Sequence, residues 1–268
     1  MPAIHPARLK QQAMLLAQHY DEPPVLVRSL HHLLDFYADR AQRPGQSGIP
    51  RPLLAAYRVK PPVLRQVERE LAPLVQADPE AGWALVQMLW EQPYLEFRTL
   101  AASLLGELLP DPPGRIFGAV RSWVRKDTEQ ALVDALSHSG LMRLRQEHPD
   151  VMIKALSDLL GDKDLNNQRL GLRILLPLVD DPPYPNLPAL FRLIQPFVRV
   201  APNKLRPDIL DVLASMARRS PVETASFLRQ VLTMPENPDT AWLIRQSISA
   251  FPQEIQERLR SAVRSPAV

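Results

Sequence analysis

The sequence predicts an all-α fold, a HEAT-like repeat α-solenoid of antiparallel helix pairs with a concave groove. Two observations indicate this class. Apolar residues recur at helical spacing along most of the chain, with no credible strand between Arg65 and Leu232. The 268 residues also include 29 Pro and only 9 Gly. Strand-rich folds use Gly in turns and bulges, whereas Pro is well tolerated in the first turn of a helix, where an N–H has no intrahelical partner.

The first 50 residues are predicted to form an N-terminal helical cap and a linker, ahead of a repeat array at 51–268. Amphipathic patterns place two cap helices at about Ala7–Tyr20 and Pro23–Arg40. The linker is Ala41–Pro50, in which Gly, Pro and Ser cluster without helical periodicity.

The array is predicted to consist of regular helix pairs whose second helices recur roughly every 33–40 residues, the period of HEAT-like repeats. The pattern is clearest at Leu95–Leu109, where Phe97, Leu100, Ala101, Leu104 and Leu108 fall at i, i+3, i+4, i+7 and i+11 and form a core face. The predicted helices are Arg51–Tyr57, Pro62–Gln76, Glu80–Glu91, Leu95–Leu109, Pro113–Arg125, Thr128–Arg145, Val151–Leu160, Leu165–Leu178, Asn186–Arg199, Leu205–Arg218, Val222–Leu232, Thr240–Phe251 and Pro252–Val263.

The composition narrows the classes of function. The chain has no Cys, which excludes disulfides, thiolate zinc sites and cysteine nucleophiles and fits a reducing compartment. Its 6 His show no metal-ligand spacing, and there is no phosphate-binding loop, so we expect no metal and no cofactor. No run approaches the roughly 20 apolar residues that span a bilayer, and the N-terminus lacks the apolar core of a secretory signal. We therefore expect a cytoplasmic protein.

Asp134 is the strongest candidate for chemistry. The helix predicted at Thr128–Arg145 has an apolar face and an opposite polar stripe, which consists of Gln130, Asp134, Ser137 and His138. In a solenoid the second helix of each pair usually lines the concave side, so this stripe could face the groove. A solvated helix face is the alternative.

A second candidate is a cationic cluster in the next predicted pair. Arg169 and Arg173 are four residues apart near a helix start, where backbone N–H groups and guanidiniums together suit a phosphate. The alternative is a capping cluster with surface arginines. Further cations near pair junctions are Arg121, Arg125, Lys126, Lys163, Lys204 and Arg206. A row of such charges along one groove would bind a phosphate backbone in a salt-dependent way.

Four segments carry a family resemblance, and their order and spacing match together. They are LWEQPYLEFRTLAASLL at 89–105, VRKDTEQALVDAL at 124–136, EHPDVM at 147–152 and DKDLNNQRLGLRIL at 162–175. The chain resembles the AlkD-like DNA alkylation repair proteins, which are HEAT-like repeat DNA glycosylases, over about Arg51 to Leu232.

This resemblance implies excision of positively charged N3- and N7-alkylpurines from duplex DNA without a metal or cofactor. The catalytic carboxylate of the family aligns with Asp134, and its phosphate-contacting arginine aligns with Arg169. One departure concerns the family's groove tryptophans, which align here with Gln130 and Asp211. Aromatic faces attract a charged base by about 0.5–2 kcal/mol each, so their replacement removes part of the expected lesion recognition.

Two functional hypotheses follow. The first is a monofunctional DNA glycosylase acting on duplex DNA as a monomer, with Asp134 as the catalytic residue. The second is a non-catalytic HEAT-repeat module that binds DNA or a protein partner. The residues expected to bind DNA are Arg169, Arg173, Arg125, Lys126, Lys204 and Arg206, and those expected to line the groove are Gln130, His138 and Asp211.

Overall fold

The computed structural model describes residues 4–39, 54–109, 111–180 and 184–264. Within these ranges the regular secondary structure is helical and includes no strand, apart from one isolated bridge between Ala55 and Tyr94, which confirms the all-α class. The α-helices are α1 Pro6–Ala17, α2 Pro23–Tyr37, α3 Pro61–Ala77, α4 Pro79–Glu91, α5 Leu95–Leu105, α6 Pro113–Trp123, α7 Gln130–Ala135, α8 Met142–Glu147, α9 Pro149–Leu160, α10 Leu165–Asp180, α11 Leu187–Arg199, α12 Arg206–Arg219, α13 Pro221–Leu232, α14 Thr240–Ser247 and α15 Gln253–Arg264.

Most helix starts follow from Pro and from side-chain caps. Pro occupies the first turn of α1, α2, α3, α4, α6, α11, α12 and α13. The side chain of Asp78 accepts a hydrogen bond of 3.1 Å from Ala81 N at the start of α4. Asn186 does the same for Ala189 N at the start of α11. Each cap satisfies one of the N–H groups that a helix start leaves without an intrahelical partner.

The chain divides into two compact units, Met1–His148 and Pro149–Val268. In the first unit α1 packs on α3, α3 on α5 and α5 on α7, while α2 packs on α4 and α4 on α5. The two cap helices therefore pack directly on the helices that follow, inside this unit. The predicted linker Ala41–Pro50 lies outside the described residues, and the domain boundary at residue 50 stays a prediction.

The second unit has two layers of alternating helices. One layer contains α10, α12 and α14 in contact order, and the other contains α9, α11, α13 and α15. This alternation is what stacked helix pairs produce, because each pair adds one helix to each layer. The core between the layers is aliphatic, and Leu172, Ile194, Leu213 and Leu228 are fully buried.

The helix predicted at Arg51–Tyr57 is wrong in its described part. Residues 54–57 form no helix: Leu54 is in a bend and Ala55 in the isolated bridge, where Ala55 O accepts a hydrogen bond from Leu95 N at 2.9 Å. The carboxylate of buried Glu96 accepts from Arg58 N at 2.6 Å, and His31 Nδ1 lies 2.7 Å from Tyr57 Oη. The bond from Leu95 N satisfies a backbone donor at the start of α5, and together these tertiary hydrogen bonds override the local helix preference.

Three predicted helices also end early or break. The helix predicted to reach Leu109 ends at Leu105, where Gly106 follows as the C-cap. The helix predicted to reach Phe251 ends at Ser247 and continues as a short 3₁₀ turn. The helix predicted at Thr128–Arg145 consists of α7, a π-helical turn at Leu136–Gly140 and α8.

Candidate functional site

Asp134 lies on the partly exposed side of α7, in the first unit. Gln130 Nε2 donates a hydrogen bond of 2.9 Å to Asp134 Oδ1 across one helical turn. On the opposite side of α7, Leu132 and Val133 are buried, whereas Gln130 and His138 are exposed. The predicted division of this segment into an apolar and a polar face is therefore confirmed for these residues.

Ser137 is the exception, because its side chain is buried and only 1% exposed. Ser137 follows buried Val133 by one helical turn and lies on the same side, because Ala135 and Leu136 still have α-helical backbone angles. A π turn at Leu136–Gly140 begins there, and in it Leu141 N donates to Leu136 O across five residues at 3.1 Å. Turns of this type are often found next to functional residues in helices.

Two contacts hold the π turn in place. The guanidinium of Arg145 donates to Ser137 O and His138 O, both at 3.3 Å. On the α5 side, a Cβ added to Gly106 would lie 1.9 Å from Ser139 O. Only Gly therefore allows the end of α5 to approach the turn this closely. The turn continues directly from α7, so these contacts also fix the helix that carries Asp134.

A cavity of about 660 Å³ borders the start of α7, and we name it the indole cavity. Its walls include Trp90 and Trp123, whose indole rings stack with centroids 4.6 Å apart and planes 12° apart. The guanidinium of Arg98 lies over the Trp90 ring, 5.3 Å from its centroid. The remaining lining residues are Leu54, Glu91, Ser122, Arg125, Asp127, Thr128, Glu129 and Leu132.

The predicted DNA-binding cations of the first unit are on the loop between α6 and α7. Arg125 and Lys126 are exposed there. The backbone of this loop is ordered by Thr128, whose hydroxyl accepts a hydrogen bond from Arg125 N at 2.8 Å. Both cations are therefore accessible to an anionic partner.

Arg169 and Arg173, in the second unit, both pair with carboxylates of α12. Arg169 Nε lies 3.3 Å from Asp208 Oδ2, and Arg169 Nη2 donates to Lys204 O at 2.8 Å. Arg173 Nη1 lies 3.0 Å from Asp211 Oδ2 and 3.7 Å from Asp208 Oδ1. The Arg169 side chain remains 43% exposed but that of Arg173 only 17%. A phosphate therefore has far better access to Arg169 than to Arg173.

Asp208 is the buried member of this cluster, with 8% of the residue exposed. Burial raises the pKa of its carboxyl above the ordinary value, and the charges of Arg169 and Arg173 oppose that rise only in part. The cluster is thus a partly desolvated group of charges that joins α10 to α12 while part of the Arg169 side chain stays in solvent.

Arg206 repeats the arrangement one helix pair later. Arg206 Nη2 lies 2.8 Å from Asp239 Oδ1, and its guanidinium covers the Trp242 ring at 4.5 Å from the centroid. Lys204 is exposed on the turn before α12. Sequence reasoning missed Asp208, Asp239 and Trp242. The sequence does contain a signal for the two aspartates. Asp208 follows Arg169 by 39 residues and Asp239 follows Arg206 by 33 residues, and both separations are about one helix pair.

Two other features were looked for among the residues that the structure describes: a metal site and a membrane-spanning helix. These residues contain no group of three or more His, Cys, Asp or Glu that could hold a metal ion. None of the helices that the structure describes is long and apolar enough to cross a membrane.

The family comparison covers most of the chain. A family model described as DNA alkylation repair enzyme matches residues 34–251, from α2 to the end of the 3₁₀ turn after α14. No curated protein and no solved structure matches the chain. The family match confirms the resemblance carried by the four sequence segments and extends it at both ends. The chain belongs to the family of DNA alkylation repair enzymes.

Proposed function

We propose that this protein is a monofunctional DNA glycosylase that removes positively charged N3- and N7-alkylpurines from duplex DNA. The observation that carries the proposal is a partly exposed carboxylate, Asp134, on the polar side of α7 in a chain of the DNA alkylation repair family. The family match supports a role in repair, and the carboxylate supports hydrolysis as its chemistry.

The reaction breaks the bond between the sugar C1′ and the purine nitrogen. An alkylated purine already carries a positive charge, so it takes the bonding electron pair and departs as a neutral base. The sugar is left with oxocarbenium character, which the negative carboxylate of Asp134 stabilises. Water then adds to C1′, and its proton passes to the carboxylate or to solvent. The hydrogen bond from Gln130 Nε2 holds the carboxylate in position through these steps.

The exposed cations supply the affinity for DNA. Arg169 contacts a phosphate with the edge of its guanidinium that Asp208 does not cover. The other proposed phosphate-binding residues are Arg125, Lys126, Arg173, Lys204 and Arg206. Each phosphate that is neutralised releases counterions, so the affinity falls steeply with salt.

The experiment is an assay of base release from alkylated duplex DNA. Purified protein is expected to release 7-methylguanine or 3-methyladenine, and Asp134→Asn is expected to abolish the release. Asp158→Asn is the matched control, because Asp158 is an exposed helical aspartate on α9 that has no part in the proposed site. Absence of release above a buffer control at high enzyme concentration would end the proposal.

A non-catalytic binding module is the second candidate, and the carboxylates of α12 favour it. Asp208 and Asp211 neutralise much of the charge of Arg169 and Arg173, which lowers the expected affinity for phosphates. This candidate predicts partner binding that survives Asp134→Asn. The module could bind DNA or a protein partner, and electrophoretic mobility of duplex DNA across a salt series separates these two cases. A DNA-binding module gives a salt-dependent shift, whereas a protein-binding module gives none.

A further inference from the structure

We propose that Asp208 is a positioning residue for DNA binding, which holds the guanidinium of Arg169 so that its Nη1 nitrogen meets a DNA phosphate. This inference rests on the proposed function and adds a role for a carboxylate that spacing within one helix does not reveal. It gives Asp208 an effect opposite in sign to that of its charge. A negative group near a phosphate weakens binding by repulsion, but one that orients the arginine strengthens it.

Two of the three guanidinium nitrogens of Arg169 are anchored to residues in and just before α12. Arg169 Nε lies 3.3 Å from Asp208 Oδ2, and Arg169 Nη2 donates to Lys204 O at 2.8 Å. The third nitrogen, Nη1, has no hydrogen-bond partner among the residues that the structure describes, and the side chain is 43% exposed. Because a guanidinium is planar and rigid, two anchored nitrogens also fix the direction of the third. Nη1 is therefore presented to an anion in one direction.

Asp208 is a firm anchor because it is held from several sides. It is the third residue of α12, only 8% of it is exposed, and its other oxygen, Oδ1, lies 3.7 Å from Arg173 Nη1. Without the carboxylate, Arg169 keeps its bond to Lys204 O, and its long side chain regains rotamer freedom. A phosphate then has to order that side chain on binding, and ordering one such side chain weakens association by about two- to tenfold.

The arrangement recurs at Arg206, where the same two nitrogens are anchored. Arg206 Nη2 lies 2.8 Å from Asp239 Oδ1, and Arg206 Nε donates to Ala201 O at 3.3 Å. Asp239 is itself fixed, since its Oδ2 accepts a hydrogen bond of 2.8 Å from Ala201 N. Each of the two arginines is thus bonded to one carboxylate from the following helix pair and to one backbone carbonyl. Oriented arginines on successive pairs suit a ligand that carries phosphates at intervals, as a DNA strand does.

Arg173 is the contrasting case, in which carboxylates cover the nitrogen that Arg169 leaves open. Arg173 Nη1 lies 3.0 Å from Asp211 Oδ2 and 3.7 Å from Asp208 Oδ1, and the Arg173 side chain is 17% exposed. The Asp211 side chain is 59% exposed, and within the described part of the chain it makes no bond to Arg169. Asp211 therefore competes with a phosphate for Arg173, whereas Asp208 orients Arg169.

These two roles give opposite results when the carboxylates are neutralised. Charge alone predicts tighter DNA binding after the loss of either one. For Asp208 this gain is small, because two arginines already offset its charge and salt screens what remains at the exposed end of Arg169. The loss of orientation acts directly on the charge-assisted hydrogen bonds to the phosphate, which depend on geometry. The net effect of removing the Asp208 charge is therefore weaker binding.

The test is fluorescence anisotropy of labelled duplex DNA across a salt series. Asp208→Asn keeps the shape and one acceptor oxygen, and we expect it to weaken binding about fivefold and to reduce the salt slope by up to about one. Asp211→Asn is the matched control, because it removes a charge from the same cluster without touching Arg169, and it is expected to bind about twofold more tightly. In an Arg169→Gln background, Asp208→Asn causes no further weakening, because the group that it positions is gone.

Two readouts separate positioning from a general loss of structure. Partial unfolding lowers the active concentration but leaves the salt slope of the folded protein unchanged, and urea unfolding measures stability directly. In base release from alkylated duplex, Asp208→Asn is expected to raise KM about fivefold with kcat within about twofold of the wild type. If Asp208→Asn does not fold, Arg169→Lys replaces it. A lysine keeps the charge but cannot be held by the same two bonds, so we expect binding about fivefold weaker than wild type.

Four results would overturn the inference. They are unchanged or tighter binding by folded Asp208→Asn, the same weakening by Asp208→Asn in the Arg169→Gln background, full affinity in Arg169→Lys, and no binding of duplex by the wild type. Failure of the proposed function has a different outcome. A protein that binds duplex with this dependence on Asp208 but releases no base keeps the positioning role and loses the glycosylase. A protein that releases base through Asp134 and binds more tightly as Asp208→Asn keeps the glycosylase and loses the positioning role.

Discussion

Gly106 offers the sharpest structural prediction, because it lies against the backbone of the π turn that follows α7. A Cβ at this position would lie 1.9 Å from the oxygen and 2.9 Å from the carbon of the Ser139 carbonyl. Favourable contacts need about 3.5 Å. Gly106→Ala therefore forces a backbone shift of more than an ångström at the end of α5 or in the turn. Overpacking with some freedom to relax costs about 1–3 kcal/mol. We expect at least about 3 kcal/mol here, because the obstacle is backbone.

Gly118→Ala is the matched control. Gly118 is exposed within α6, and a Cβ there meets nothing within 4 Å. The substitution removes the backbone freedom of Gly from a helix interior, so it is expected to stabilise by about 0.5–1 kcal/mol. The two variants are therefore expected to differ by about 4 kcal/mol in the free energy of unfolding.

Urea unfolding followed by circular dichroism measures this difference, with the slope of the transition checked for each variant. The displaced turn is also expected to move α7, so Gly106→Ala lowers kcat for base release more than it raises KM, while Gly118→Ala changes neither. Stability of Gly106→Ala within about 1 kcal/mol of the wild type would refute the close approach that we describe.

Two further predictions concern α12 and α10. Burial raises the pKa of Asp208 above 3.8, so the folded state binds this proton more tightly than the unfolded chain. The resulting stabilisation is present at low pH and lost as the pH rises through the folded pKa. Asp208→Asn is therefore expected to remove part of the gain in unfolding free energy that appears as the pH falls through the range in which the folded carboxyl takes up its proton. Urea unfolding at each pH measures this gain, and an unchanged pH profile would contradict the prediction. Arg169→Gln is expected to weaken duplex binding about tenfold and to reduce the salt slope by about one, whereas Arg199→Gln, whose arginine pairs with Glu236, leaves both unchanged. Fluorescence anisotropy of labelled duplex DNA across a salt series measures the affinity and its salt slope. Equal salt slopes for the wild type, Arg169→Gln and Arg199→Gln would refute the role of Arg169.

The helices were predictable because their signals are local. Apolar spacing and Pro at the first turn can be read within the sequence of the helix itself. The helices α4, α9 and α13 accordingly begin and end within two residues of the prediction. The segment at residues 54–57 was mispredicted because its hydrogen-bond partners, Leu95 and Tyr94, are about 40 residues away. Local propensity carries no information about such a partner.

The site was predictable only in part, for the same reason. The polar face of α7 follows from residue spacing, and it placed Gln130 and Asp134 on one side. The π turn at Leu136–Gly140 is in contact with Gly106 and Arg145, which come from α5 and α8. The partners of Arg169 and Arg206 come from the next helix pair. Spacing within one helix cannot reveal contacts between pairs, although an Arg and an Asp one repeat apart are a usable signal in this chain.

The most direct test of the account is the single-turnover rate of base release at saturating protein. Duplex DNA carrying one 7-methylguanine is mixed with excess wild-type protein or Asp134→Asn, and DNA affinity is measured separately for both. The account predicts a loss of at least about a hundredfold in the rate, with affinities equal within about twofold. Equal rates for the two proteins, or no release by the wild type while it binds the duplex, would contradict the role assigned to Asp134.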